Sequence, residues 1–261
     1  WYSSISEEHA AVRSTGALFD ISHMGCIEVS GPHALSFLEM VTTNHVHMLE
    51  IGQSHYCFLL DTEGIVLDDV IIGRRGSDRF MVVVNAANAE KVRAWLQAIN
   101  SRQCVIDARF PHRQIEASAT LTDLAAPAAG ERQLAGLALQ GPVSDRLLRT
   151  LRGDRSIGGP LAALRKFGFI EDRIGDIPSL ISRTGYTGED IGYELYVHPE
   201  HLVQLWDAVL EVGQEMGVVP AGLGSRDSTR IEVGLPLYGH ELAGPRQIPP
   251  TVAGYSAFVR P

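Results

Sequence analysis

The sequence predicts an α+β protein, and three observations lead there. Strand-like and helix-like segments come in groups instead of a strict strand–helix–strand alternation. Three short β-rich segments between Tyr56 and Val84 are separated by Thr62-Glu63-Gly64 and Gly76-Ser77-Asp78, the pattern of an antiparallel meander. The composition, 45% hydrophobic, 20% charged and 7% aromatic, is that of a folded globule and disfavours disorder, collagen and coiled coil.

In chain order, Ile5 to Ala17 reads as a helix, with Ser6 as its cap, Glu7 and Glu8 suited to its positive end and Gly16 near its exit. Cys26 to Val29 reads as a strand ending in the turn Ser30-Gly31-Pro32, and Ala34 to Val41 has the apolar spacing of a helix. The meander follows as Tyr56 to Leu60, Ile65 to Ile72 and Phe80 to Val84. Asn85 is placed to cap a helix over Ala86 to Ile99, in which Val92, Trp95, Leu96 and Ile99 share a face. Residues 113–134 lack a period and mark a connection between layers or domains. Leu134 to Leu139, the turn Gln140-Gly141-Pro142 and a helix from Ser144 to Leu151 come next. Ser179 to Arg183 and Gly192 to Val197 read as strands around a Gly-rich turn, and Pro199 to Met216 as an amphipathic helix.

With 261 residues the chain holds one large domain or two ordinary ones. Its 22 Lys and Arg against 31 Asp and Glu give a net charge of −9, a field that repels nucleic-acid backbones and anionic membranes. No apolar run approaches the ~18 residues of a membrane span. Cys26, Cys57 and Cys104 have no CxxC spacing, which fits a reducing cytoplasm and neither a disulfide framework nor a zinc knuckle. The chain opens on Trp1, so further residues are expected upstream.

Several chemistries have no motif here. There is no P-loop, and Gly222-Leu223-Gly224 lacks the third glycine of a dinucleotide fingerprint because Asp227 stands there. His240-Glu241 lacks the second His of a zinc helix, no other His pair has helical spacing, and no metal is expected. No GxSxG elbow is present.

Four polar constellations remain. Asp68-Asp69 lies inside an apolar strand, where adjacent side chains point to opposite faces, so one carboxylate is directed inward. It is either satisfied by turn amides or desolvated to hold a protonated amine. In Arg183 to Glu194, three glycines permit close backbone approach to a flat ligand and Tyr186 and Tyr193 offer ring faces. Glu189-Asp190 fits a solvated tip there, whereas Glu194 sits in the apolar run Tyr193 to Val197. In Gly222 to Glu232, Asp227 or Ser225 can cap a helix and Arg230 and Glu232 can be surface charges, which leaves Arg226 without a bland role. In Phe19 to Gly25, His23 reads as a packed histidine and Met24 as a core filler.

Taken in order, EEHAAVR, LFDISHMG, Gly52-Gln53, Asp68-Asp69, VVNAAN, ALQGP, SRTGYTGED, GLGSRDSTRIEVG and LYGHEL resemble the aminomethyltransferase family, the T-protein of the glycine cleavage system and its folate-binding superfamily. The match runs from about Glu8 to Leu242. The resemblance implies a multidomain α+β fold with antiparallel and mixed sheets flanked by helices around a central folate cavity. Residues 1–25 with 113–242 would form a discontinuous folate-binding domain and 26–112 with 243–261 a second, the family's C-terminal barrel being largely absent. It further implies that Asp69 is catalytic, approaching the reactive nitrogens of tetrahydrofolate, that Met24, Tyr56, Val83, Asn85 and Tyr186 line the same pocket, and that Glu194 and Arg226 hold the pterin end. Ile191 is an insertion relative to the family pattern, directly upstream of the strand that carries Glu194.

The reaction so implied is transfer of a methylene unit from the aminomethyl group on the lipoyl arm of a partner H-protein to tetrahydrofolate, with ammonia released and no metal. Two alternatives share the resemblance. One is a folate-dependent demethylase of a small N-, O- or S-methyl compound. The other is a non-catalytic folate-binding protein of iron–sulfur maintenance, whose relatives carry Cys where this chain has Gly185.

Overall fold

The computed structural model describes residues 1–153, 160–242 and 256–259. In chain order its elements are α1 (Ile5–Ser14), β1 (Gly16–Asp20), β2 (Gly25–Ser30), α2 (Ala34–Val41), β3 (Ser54–Leu60), β4 (Val66–Arg74), β5 (Arg79–Val84), α3 (Ala89–Asn100), β6 (Thr120–Asp123), β7 (Ala135–Gln140), α4 (Ser144–Arg152), α5 (Pro160–Ala163), β8 (Phe169–Ile174), β9 (Ile177–Ser182), β10 (Gly192–Val197), α6 (Leu202–Gln214), β11 (Val218–Ala221) and α7 (Leu223–Glu232). The predicted α+β class holds. No helix among the described residues is long and apolar enough to cross a membrane.

The chain divides into two compact units, one of Trp1–His23 with Glu131–Leu235, the other of Met24–Gly130 with the described residues from Pro236 onward. The first unit is built on a six-stranded sheet, β11-β1-β7-β10-β9-β8, mixed because β11 runs parallel to β1. One face buries Leu18, Leu137, Leu139, Leu195 and Val197 against Leu147 and Leu148 of α4 and Leu205 and Val209 of α6. The second unit is built on a fully antiparallel sheet, β3-β4-β5-β2-β6. Here Cys57, Val70, Ile72, Val82 and Val84 pack against Phe37 and Leu38 of α2 and Val92, Leu96 and Ile99 of α3.

Four strands have no counterpart in the sequence expectation, each for a physical reason; one of them, β6, is only four residues long and lies in the stretch read as a connection. β1 is buried from Gly16 through Phe19, so it has no polar alternation to read, and the predicted helix extends into it. β11 is short and contains Pro220, tolerated because β11 lies at the sheet's edge. β8, the other edge, carries Glu171, Asp172 and Arg173 and reads as a surface loop.

The helix caps also differ. Ser4, not Ser6, caps α1, its hydroxyl accepting from the Glu7 N–H at 3.3 Å. The domain division shifts as well. Residues 113–130, grouped by sequence with the first domain, join the second unit because β6 pairs with β2. Tyr238 and Leu242 likewise pack on Phe58 and Val66. Of the expected second-domain segment 243–261, residues 243–255, 260 and 261 lie outside the described residues.

Candidate functional sites in the two units

In the second unit, strand pairing sets Tyr56, Ile71, Val83 and Cys26 side by side, and Phe58 opposite Asp69. These alternate with the residues packed on α2 and α3, so they share the sheet's other face. The Tyr56 ring meets Phe58 edge-on at 5.2 Å and Phe258 at 5.0 Å. Val83 is buried, and Met24, directly ahead of β2, is half-buried.

The two carboxylates of β4 differ in burial as alternation requires: Asp68 is 0% exposed and Asp69 half-buried. Asp68 accepts from the Asn85 backbone N–H at 3.0 Å, the Asn85 amide at 2.9 Å and the Asn88 amide at 2.6 Å. It is the inward carboxylate, satisfied by amides. Asp69 accepts from the Tyr56 hydroxyl at 2.8 Å and from the Asn85 amide at 2.8 Å. The sheet therefore does not separate the pair. Both reach Asn85, which sits just past the last paired residues of β4 and β5, Ile71 and Val83.

Burial raises the pKa of both carboxyls. Asp68 is pushed up to about 6, with the neighbouring Asp69 charge adding to burial and the Asn85 and Asn88 donors opposing it. Burial dominates for Asp69 too, against the Tyr56 and Asn85 hydrogen bonds. The helix cap expected from Asn85 is not made, because its side chain serves the two carboxylates instead.

In the first unit, Phe19, Ala138, Glu194 and Ser182 form a row across β1, β7, β10 and β9, on the face away from α4 and α6. Glu194 is half-buried, and its Oε2 accepts from Thr184 Oγ1 at 2.7 Å and from the Tyr196 hydroxyl at 3.2 Å. β10 pairs residue for residue from Gly192 to Val197 with β7, so the inserted Ile191 is absorbed before the strand begins, partly packed on the core. The half-buried Arg226 guanidinium lies 5.5 Å from the centre of the half-buried Tyr186 ring, a cation–π pair.

Several sequence readings are corrected here. The glycines at 185 and 192 serve the buried Gln140: a Cβ on either would lie 1.9 Å or 2.4 Å from Gln140 Oε1. That side chain donates to the Thr184 carbonyl at 3.1 Å and accepts from Thr187 Oγ1 at 2.9 Å, fixing the turn from within. Glu189, expected to be solvated, is ion-paired with Arg13 at 2.6 Å. His23 is exposed, not packed. Neither Ser225 nor Asp227 caps α7. Asp227 pairs with the buried Arg230 at 2.7 Å, Gly222 is the N-cap residue with no side-chain cap bond, and the Glu8 carboxylate accepts from Gly222 N–H at 2.9 Å and from Ser225 Oγ at 2.8 Å.

Sequence reasoning missed one chemical group. Among the described residues, Glu39, His45 and His47 bring possible metal-ligand atoms within 4.8 Å of one another. Its signal in sequence is His45-Val46-His47, but the carboxylate comes from α2 and only the fold supplies it.

The sequence matches the family profile described as the GCVT N-terminal domain over residues 1–261. It is 41% identical over 260 residues to the aminomethyltransferase of Halalkalibacterium halodurans, covering 99% of this chain and 63% of that protein. To the aminomethyltransferase of Symbiobacterium thermophilum it is 40% identical over 244 residues, covering 93% and 59%. The crystal structure of glycine cleavage system aminomethyltransferase T from Bartonella henselae superimposes with a TM-score of 0.72 at 32% identity, covering 90% of this chain and 55% of that one. The chain thus spans 63% of the first of these relatives.

Proposed function

The chain belongs to the GCVT N-terminal domain family, and from that premise we propose that it carries folate-dependent aminomethyl transfer. A methylene unit passes from the aminomethyl group on a lipoylated H-protein to tetrahydrofolate. At the transferred carbon, the bonds to the amine nitrogen and to the lipoyl sulfur break and two bonds to folate nitrogens form. The two protons lost by those nitrogens leave with ammonia and with the freed thiol. The cytoplasm is the compartment proposed for this chemistry.

The observation that carries the reading is Asp69, a half-buried carboxylate on the face of its sheet away from α2 and α3, held at both oxygens by Tyr56 and Asn85. A carboxylate fixed in a low-dielectric setting stabilises positive charge developing on a nitrogen without having to reorganise. Its raised pKa also suits it to hold a proton released there. Asp68 keeps the same strand in place but has its acceptors filled.

Tetrahydrofolate fits the donor set of the other unit. The Glu194 carboxylate can accept paired N–H donors from a pterin edge, and Thr184 and Tyr196 orient it. Arg226, stacked on Tyr186, adds a cation and a flat face to the same unit. Met24 and Val83 supply apolar surface beside Tyr56 and Asn85 in the role the resemblance gives them. The iron–sulfur alternative is disfavoured by Gly185, where a cysteine side chain would displace Gln140.

The deciding experiment supplies aminomethylated lipoyl protein and tetrahydrofolate and measures ammonia release. Release that depends on both, and that drops more than about tenfold in Asp69→Asn, supports the proposal. Turnover of small methylated compounds without ammonia would move the chain to the demethylase reading.

A further inference from the structure

In the second unit, α2 ends at Val41 and the chain returns through a short helical turn at Val46–Met48, which brings two histidines back to a carboxylate on the helix. The Glu39 Oε1 accepts the backbone N–H of His47 at 2.6 Å and lies 3.0 Å from His47 Nδ1. Its Oε2 lies 4.0 Å from His45 Nδ1, and the two imidazoles stand 5.2 Å apart. One ligand atom from each of the three falls within 4.8 Å of the others. From this geometry we propose that Glu39, His45 and His47 form a site for a divalent transition-metal ion of the Zn2+ class.

The bond to the His47 backbone fixes Glu39 whether or not metal is present, so one ligand is held in advance. That bond explains Glu39 and His47 as a turn cap but gives no reason for His45, which the metal reading uses. Metal–nitrogen and metal–oxygen bonds of roughly 2.0–2.2 Å in a tetrahedron set ligand atoms about 3.4 Å apart, so small side-chain rotations close the set. Two imidazoles with one carboxylate suit Zn2+, Co2+ or Ni2+, whereas Mg2+ and Ca2+ favour all-oxygen sets.

Two neighbouring features support the site. A pocket of about 350 Å³ is lined by Glu39 and His45 and leaves room for water at the remaining coordination positions. His55 of β3 lies close enough to feel the charges of both residues, and its Nε2 is buried with no hydrogen-bond partner. A second histidine and carboxylate group, His198, Glu200 and His201, has its imidazoles 6.5 Å apart and provides an internal control.

The test is titration of the chelator-treated protein with Zn2+ by calorimetry and with Co2+ by visible absorption. One equivalent is expected to bind with a dissociation constant below about 10 μM, weakened at least about 20-fold by His45→Ala and by His47→Ala and less than about twofold by His201→Ala. Unchanged thermal melts of the metal-free variants show that the fold persists. The proposal is overturned if the parent takes up no ion at about 100 μM, or if the His45 and His47 variants bind as the parent does.

Discussion

The side-chain nitrogen of Asn85 stands 2.8 Å from Asp69 Oδ1 and 2.9 Å from Asp68 Oδ1, so one amide ties together two successive carboxylates of a single strand. Replacing it by Asp keeps the shape but sets a third carboxyl among acceptors. The Asn85→Asp protein is expected to lose roughly 2–4 kcal/mol of stability, since one buried and one half-buried acceptor lose a donor and gain a like neighbour. Chemical denaturation checks this; an unchanged midpoint and slope would contradict the assigned geometry.

Tyr56 donates to Asp69 and opposes the upward push of burial on its carboxyl. Tyr56→Phe is expected to lower turnover severalfold, and, because the removed donor favoured the ionised form, to move the acid limb of the pH–rate profile to higher pH. Asp69→Asn is expected to lower turnover more than about tenfold while changing folate affinity less. A pH–rate profile of Tyr56→Phe lying on that of the parent would separate Asp69 from the chemistry.

Glu194 tests the other unit. Glu194→Gln keeps the contact with Thr184 available but removes the charge that suits paired N–H donors. Folate binding is expected to weaken by at least about tenfold, measured directly by calorimetry, with Asp69→Asn affecting that constant less. Equal binding by the Glu194→Gln protein and the parent would remove the pterin role.

Much of this is legible in the chain. β4, α2 and the helix at Ser144–Arg152 show themselves through alternation and apolar spacing, because each has one buried and one wet face, and β5 shows itself as an apolar run rich in β-branched residues. β1 does not, since it is short, buried on both faces and opens on Gly16 and Ala17, which favour strands little. Among site residues, the contrast between Asp68 and Asp69 follows from strand geometry. Their convergence on Asn85 does not, because it depends on where β4 and β5 stop pairing. Gln140 escapes notice for the same kind of reason. It lies 44 residues from the Thr184 carbonyl it holds, and nothing local marks it.

Asp68 makes stability fall with rising pH. Its carboxyl titrates at about 6 in the folded chain against an unperturbed 3.8, so the fold favours the protonated form. The contribution is complete below about pH 4 and lost as pH rises through about 6. At about 1.4 kcal/mol per pH unit it amounts to roughly 3 kcal/mol. Measured against Asp68→Asn, which does not titrate, the parent is expected to lose this much between about pH 4 and pH 7. A difference that stays flat over that window would contradict the burial and charge coupling assigned to Asp68.

Glu8 gives the opposite sign. It is 0% exposed, and although burial acts to raise its pKa, the N–H groups of Gly222, Tyr2 and Ser3 and the Ser225 hydroxyl hold it below the usual 4.5. Its ionised form holds Gly222 and Ser225 at the start of α7, the helix that carries Arg226, so its stabilisation is present above pH 4.5 and fades as pH falls through the lower folded value. Glu8→Gln retains one acceptor but no charge, and at pH 7 it is expected to cost about 1–3 kcal/mol. As pH falls below the folded value the parent becomes neutral too, and the gap between the two proteins should close. Denaturant titrations of both at about pH 7 and pH 3 decide it: a gap that widens on acidification would show that Glu8 does not act through its charge.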